Sequence, residues 1–190
     1  MNEDLKTEPV SEDIDLSLTK AGRFLMYSLW IQSQLSDLII LNRNKDIIDD
    51  FNKNVVIPDI LLKERFVFWE KDFKDVKETF EREFSNLLTE QAKIDLNTIY
   101  YLRNAISHSQ VSVGRKYLFY KPKNEKILES IRRIMNITNK DEPNLVKNII
   151  KIDYSNDLNY HNNMNLIKRF DEFFLSGVCK DIGIYHPKIR

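Results

Sequence analysis

Residues 89–108 read Thr-Glu-Gln-Ala-Lys-Ile-Asp-Leu-Asn-Thr-Ile-Tyr-Tyr-Leu-Arg-Asn-Ala-Ile-Ser-His. Ala92, Leu96, Ile99, Leu102 and Ile106 recur at steps of three and four, the period of one buried helical face. Thr89 stands where a hydroxyl caps a first turn. The stretch predicts a helix whose apolar stripe turns into a bundle, and it ends on Arg103-Asn104-Ala105-Ile106-Ser107-His108.

Outward from this helix the same period recurs. Phe24, Tyr27, Ile31, Leu35 and Leu38 predict a helix from about Ser17 to Leu41, with Asn42 and Asn44 ending it. A short helical turn is expected around Ile47–Phe51, and Pro58 suits the first turn of a following helix. Trp69, Phe73, Val76, Phe80 and Phe84 continue the pattern from Asp59 to about Phe84, as one helix or as two with a break near Lys71–Asp72. Beyond His108 the period changes. Val111, Val113, Tyr117, Phe119 and Tyr120 flank Gly114-Arg115, which predicts a small β-hairpin closed by Pro122. Asn124 caps a short helix bearing Ile127, Leu128, Ile131 and Met135, while Asn148–Tyr154 reads equally as strand or helical turn. Met164, Ile167, Phe170 and Phe174 predict a last helix over about Leu158–Ser176, with Gly177 as its stop. The expected fold is mainly α: a bundle of about four main helices with a β-hairpin appendage. Residues 16–190 form one domain behind a disordered, acidic segment over 1–15.

The composition narrows the function classes. With 190 residues, 42% hydrophobic and 31% charged, the chain has a globular balance and can bury a sizeable core. Four Gly and five Pro argue against a many-turned β fold. The single Cys179 excludes an internal disulfide framework and a Cys-rich zinc site, in keeping with a reducing cytoplasm. The first residues lack the basic and apolar regions of a signal peptide, and no apolar run is expected to span a membrane. Net charge is zero but unevenly placed: residues 1–100 carry 13 Lys+Arg against 20 Asp+Glu, and residues 101–190 carry 16 against 9. The basic half either presents a surface to a polyanion or neutralises the acidic half within one fold.

Arg103 is a permanent cation able to grip a phosphate through two parallel N–H bonds, and His108 titrates near neutrality. On a helix they lie about 140° apart, so they do not stack on one another as residues one turn apart would. One copy makes half a site; two copies about a dimer axis would make a cleft with two arginines and two histidines. Alternatively His108 is a helix-terminal residue bonding backbone carbonyls, and Arg103 a side chain snorkelling beside the core.

The run Leu102–His108 resembles the signature of the HEPN superfamily, an Arg followed by four to six residues and a His, with a polar residue such as Asn104 directly after the Arg. The resemblance centres on residues 89–110, with helical context over 17–178. It implies a small helical domain, usually dimeric, that in many members is a metal-independent endoribonuclease of toxin–antitoxin or antiviral systems. Arg103 would then hold the scissile phosphate, His108 would be the general acid–base, and Asn104 would orient the pair or contact substrate. RNA, a second copy of the chain and an antitoxin or regulatory protein are the implied partners, with no cofactor and no metal. Some members carry, two residues after the His, a Tyr that is AMPylated; Gln110 stands there in this chain, which departs from that mode of control. The alternative within the same resemblance is a non-catalytic dimerisation, ligand-sensing or partner-binding module.

A second feature follows the helix. Arg115, Lys116, Lys121 and Lys123 interleave with Tyr117, Phe119 and Tyr120, and Lys126, Arg132 and Arg133 continue the basic run. Aromatics can stack on unpaired bases while cations track a phosphate backbone, which makes Arg115, Lys116, Tyr117, Lys121 and Lys123 candidate RNA contacts. The same pattern fits a hairpin packed on the bundle with solvated lysines. His161 and His186 have no Arg at the corresponding spacing and read as surface residues.

Overall fold

A computed structural model describes residues 12–53, 59–111, 117–135, 148–154 and 157–185. Helix α1 (Glu12–Arg43) is the axis around which the others pack. It contacts α3 (Asp59–Trp69), α4 (Phe73–Glu83), α5 (Glu90–Ser107) and α7 (Asp157–Arg169), so Phe24, Ile31, Leu35, Leu38 and Ile39 are wholly buried. α1 starts at Glu12, within the segment expected to be disordered, and residues 1–11 lie outside the described residues. It is also long and apolar enough, by length and hydropathy, to cross a membrane, contrary to the sequence expectation. Most of it is buried inside the bundle, the behaviour of a core helix.

A 3₁₀ turn (Lys45–Ile47) leads into the short α2 (Ile48–Lys53). The segment 59–84 is two helices with the break at Lys71–Asp72. Asp72 causes it locally: its carboxylate accepts the Asp75 N–H at 2.9 Å and opens a new first turn. The Gln32 carboxamide donates to the Lys71 carbonyl at 3.3 Å and ties the elbow to α1.

The hairpin is present and enlarged. β1 (Gln110–Val111) and β2 (Leu118–Tyr120) pair antiparallel with Gln110 opposite Phe119, while residues 112–116 lie outside the described residues. β3 (Ile150–Ile152) adds a third strand on the far edge of β2, resolving the ambiguous Asn148–Tyr154 stretch as strand. Between β2 and β3 lies α6 (Glu125–Ile134), capped by the Asn124 side chain. Tyr154 is buried below the sheet, and Lys20 of α1 donates to its carbonyl at 2.9 Å and to Asp157 at 2.6 Å. Burial of the ring pushes the Tyr154 phenol far above its ordinary range.

The C-terminal helix corrects one expectation. Gly177 does not stop it. α7 continues through a π-helical turn (Phe170–Leu175) into α8 (Ser176–Asp181), and Gly183 ends it at φ +80°. Ile184 N–H donates to the Cys179 carbonyl at 2.7 Å and Gly183 N–H to Lys180 at 3.2 Å, a Schellman closure that needs a left-handed residue at position 183. Asn52 of α2 bonds the Gly183 carbonyl and the Tyr185 N–H, fastening this end to the first half of the chain. Cys179 is buried, and desolvation pushes its thiol up to about 12, far from reactive.

Candidate functional site

Helix α5 is the frame of the site. Thr89 caps it, accepting the Ala92 N–H at 3.1 Å, and Ala92, Leu96, Ile99, Leu102 and Ile106 are buried as the sequence period predicts. Its other end is tied down around His108. The His108 N–H donates to the Asn104 carbonyl at 3.1 Å, and the Ser109 hydroxyl to Ala105 at 2.5 Å. His108 is the first non-helical residue and is exposed.

Arg103 and Asn104 are half-buried and joined: Arg103 Nη1–H donates to Asn104 Oδ1 at 3.0 Å. A neutral amide orients the guanidinium without cancelling its charge. The contrast within the molecule is informative. Arg43, Arg65 and Arg169 each bond a carboxylate, of Glu83, Asp37 and Asp95 respectively, and each guanidinium is held more firmly protonated by it. Among the described residues no carboxylate pairs with Arg103, which leaves its charge for an external anion. Within one chain Arg103 and His108 share no hydrogen bond, in keeping with their separation around the helix.

The outward face of α5 continues from Asn104 and His108 to Tyr101 and Asn97, spaced three and four residues apart. Tyr101 and Asn97 line a groove of about 800 Å³ between α5, α6 and α7. Lys126 and Arg133 of α6 bring two cations to it, while the charge of Arg169 of α7 is met by Asp95 in the same lining. Arg169 is fixed by two hydrogen bonds to the buried Asp95, at 2.6 and 2.9 Å, and Gln91 donates to the same carboxylate. A groove with cations, amides and one aromatic suits a polyanion bearing planar bases. Lys126 and Arg133 belong to the basic run visible in the sequence. Tyr101 and Arg169 do not, and only the polar-face position of Tyr101 on the same helix hinted at its part.

Of the residues expected to contact RNA, Lys121 and Lys123 are exposed just after β2. Tyr117 is half-buried, with the Lys151 ammonium 3.5 Å from its ring centre, so one face of the ring is already occupied by a cation. Arg115 and Lys116 lie outside the described residues, as does His186. His161 is exposed on α7 and lies beside Tyr160, with ring centres 5.7 Å apart. Among the described residues no three His, Cys, Asp or Glu side chains converge as a metal-binding group.

No protein-family model matches the chain, and no match is found among curated proteins or among solved structures.

Proposed function

We propose that this chain is a metal-independent endoribonuclease of the HEPN type, acting as a homodimer whose two α5 ends form one composite site. The observation that carries the reading is that, among the described residues, no carboxylate pairs with Arg103, which is oriented by Asn104 and accompanied on the same helix end by an exposed His108. Arg103 binds the scissile phosphate and stabilises the charge that grows on its oxygens. His108 of one protomer takes the proton of the RNA 2′-hydroxyl, or gives one to the departing 5′ oxygen. The 2′ oxygen bonds to phosphorus, the bond from phosphorus to the 5′ oxygen breaks, and the products are a 2′,3′-cyclic phosphate and a 5′-hydroxyl. The cationic groove beside Tyr101 holds the flanking strand. The biological setting proposed is a prokaryotic toxin or antiphage effector in the cytoplasm, held in check by an antitoxin or other regulatory protein.

The test is cleavage of varied RNAs by pure protein in EDTA, with the product ends analysed. Arg103→Ala and His108→Ala should each lower the rate by at least about a hundredfold, the scale of losing an electrostatic or acid–base contribution, without lowering the melting temperature. Equal cleavage by His108→Ala would overturn the assignment.

A second reading, a non-catalytic partner-binding module, is favoured by one specific feature. Met26, Leu29 and Trp30 of α1 and Phe66 and Trp69 of α3 are exposed, and the two helices flank a cleft of about 380 Å³. Apolar surface of that kind marks an interaction site. On this reading the His108→Ala variant keeps full biological activity.

A further inference from the structure

α1 and α3 leave one face of the bundle apolar and exposed. On α1, Met26 stands one turn before Leu29 and Trp30; on α3, Leu62, Phe66 and Trp69 follow one another a turn apart. All six are exposed, Trp69 to 70%, Met26 to 66% and Phe66 to 58%. The Phe66 and Trp69 rings meet edge to face, with centres 4.9 Å apart. Leu29 and Trp69 both line the cleft between the helices, so the two strips belong to one surface. The charged side chains lining that cleft are Asp37 and Arg65, and they pair with each other. An amphipathic helix ordinarily turns its apolar stripe inward, whereas α3 buries Leu61 and Phe68 and still shows Leu62, Phe66 and Trp69 to solvent.

A polyanion or a charged peptide finds no unanswered charge in the cleft, so the occupant is itself apolar. Its area suits a second copy of this chain. At roughly 150–250 Å² for a whole aromatic side chain, the six residues leave on the order of 600 Å² open, and two copies would cover about 1,200 Å², above the roughly 1,000 Å² that a specific interface needs. Its shape is self-complementary. One face carries both an α1 strip beside a cleft of about 380 Å³ and an α3 strip with two exposed aromatics. A two-fold axis can therefore seat each α3 strip on the other copy's α1 strip, twice over. The face also leads to the motif helix. Gln32 of α1 bonds the elbow just past Trp69, and Phe73 beyond the elbow packs edge-on against Tyr100, with ring centres 6.0 Å apart. Tyr100 lies three residues before Arg103. We propose that α1 and α3 form the homodimer interface, each α3 strip seated on the α1 strip of a second copy. The choice of a second copy rests on the nuclease reading, whose composite site is incomplete without one.

Sedimentation equilibrium of the full chain should give a dimer. Phe66→Glu and Met26→Lys each put a charge into one strip, at exposed positions where the folded chain and its circular dichroism should be unchanged. Each variant alone should dimerise at least about a hundredfold more weakly than the parent, since an unpaired charge would be buried at both halves of the interface. Mixed together, they should form a heterodimer at least about tenfold tighter than either variant forms with itself. The two-fold arrangement then sets the acidic change against the basic one at one contact and keeps the original residues at the other. RNA cleavage is measured on the same samples. A parent that loses its dimer on either substitution but cuts no RNA supports the interface and overturns the nuclease reading. A parent that cuts RNA while both variants dimerise as tightly as it does overturns the interface alone. The proposal is also overturned if mixing brings no gain, or if the parent is monomeric, whether or not lipid vesicles or another protein bind the face.

Discussion

Asp37 and Arg65 show how unequally the two members of one ion pair can matter. The Asp37 side chain is 3% exposed and that of Arg65 is 34% exposed, and two hydrogen bonds join them. Burial pushes the Asp37 carboxyl above the usual carboxylate range, although Arg65 pulls it down. Arg65→Ala therefore strands a buried charge and should cost about 2–3 kcal/mol in urea unfolding, whereas Asp37→Asn leaves a solvated cation and should cost about 1 kcal/mol or less. A carboxyl raised in the folded state binds more protons there than in the unfolded chain. Its contribution to stability accordingly improves as pH falls from the raised value towards the unfolded one, and Arg65→Ala should lose part of its deficit on mild acidification. Asp157 behaves oppositely. Its hydrogen bond from Lys20 lowers its pKa, so its contribution is complete above the unfolded carboxylate pKa and fades as pH falls through the lower folded value. Urea midpoints of Asp157→Asn and the parent should converge at the acid end. At this scale the sequence was legible in kind but not in pairing. Arg103 and His108 announced themselves by residue type and spacing. Nothing announced that Asp95 of α5 would seat Arg169, because the partners are 74 residues apart.

Elements were legible wherever their signals were local. Asp72, Thr89 and Asn124 each accept a backbone N–H three residues ahead, and each helix starts where its cap stands. Thr89→Ala should lower stability by about 1 kcal/mol and fray the start of α5. RNA cleavage should survive that change, since the motif begins nearly four turns away; thermal melting and cleavage assays read the two effects separately. β3 was ambiguous because three residues are too few to show a period, and its strand state depends on pairing with β2. The end of the last helix was misplaced for a different reason. The period runs through Met164, Ile167, Phe170 and Phe174, and Gly177 reads as a stop because glycine favours helix ends. The left-handed residue is instead Gly183, which the same preference suits equally well.

For the whole molecule, the sequence stated the architecture but not the surface. An α bundle with a small antiparallel sheet followed from periodicity and from few glycines, and the structure bears this out. The groove between α5, α6 and α7 could not be read, because its lining joins α7 to two helices that precede it by more than twenty residues in the chain. Its predicted behaviour is that of a polyelectrolyte site. Lys126→Ala and Arg133→Ala should each weaken RNA binding across sequences and flatten the dependence on salt by about one ion, measured by titration at several salt concentrations. The composite site we propose also requires a second chain. Sedimentation should find a dimer at working concentration, and mixing Arg103→Ala with His108→Ala protein should restore cleavage in part if residues from both protomers meet.

The π-helical turn between α7 and α8 has a consequence for how the gene can drift. It holds one residue more than an α-helical turn, and Leu175, Val178 and Cys179 lie on the buried side that Phe170 begins. Deleting Phe173, which is 76% exposed and makes no core contact, looks harmless by its surroundings. The helix would close up into regular geometry with Leu175 four residues after Phe170, about 40° round from it, so everything after the turn keeps its face. Val178 and Cys179 would stay in the core, and the Gly183 closure would still meet Asn52. The surplus residue is thus one the fold absorbs rather than needs: Phe173 should accept almost any replacement, and its removal should leave the melting temperature nearly unchanged.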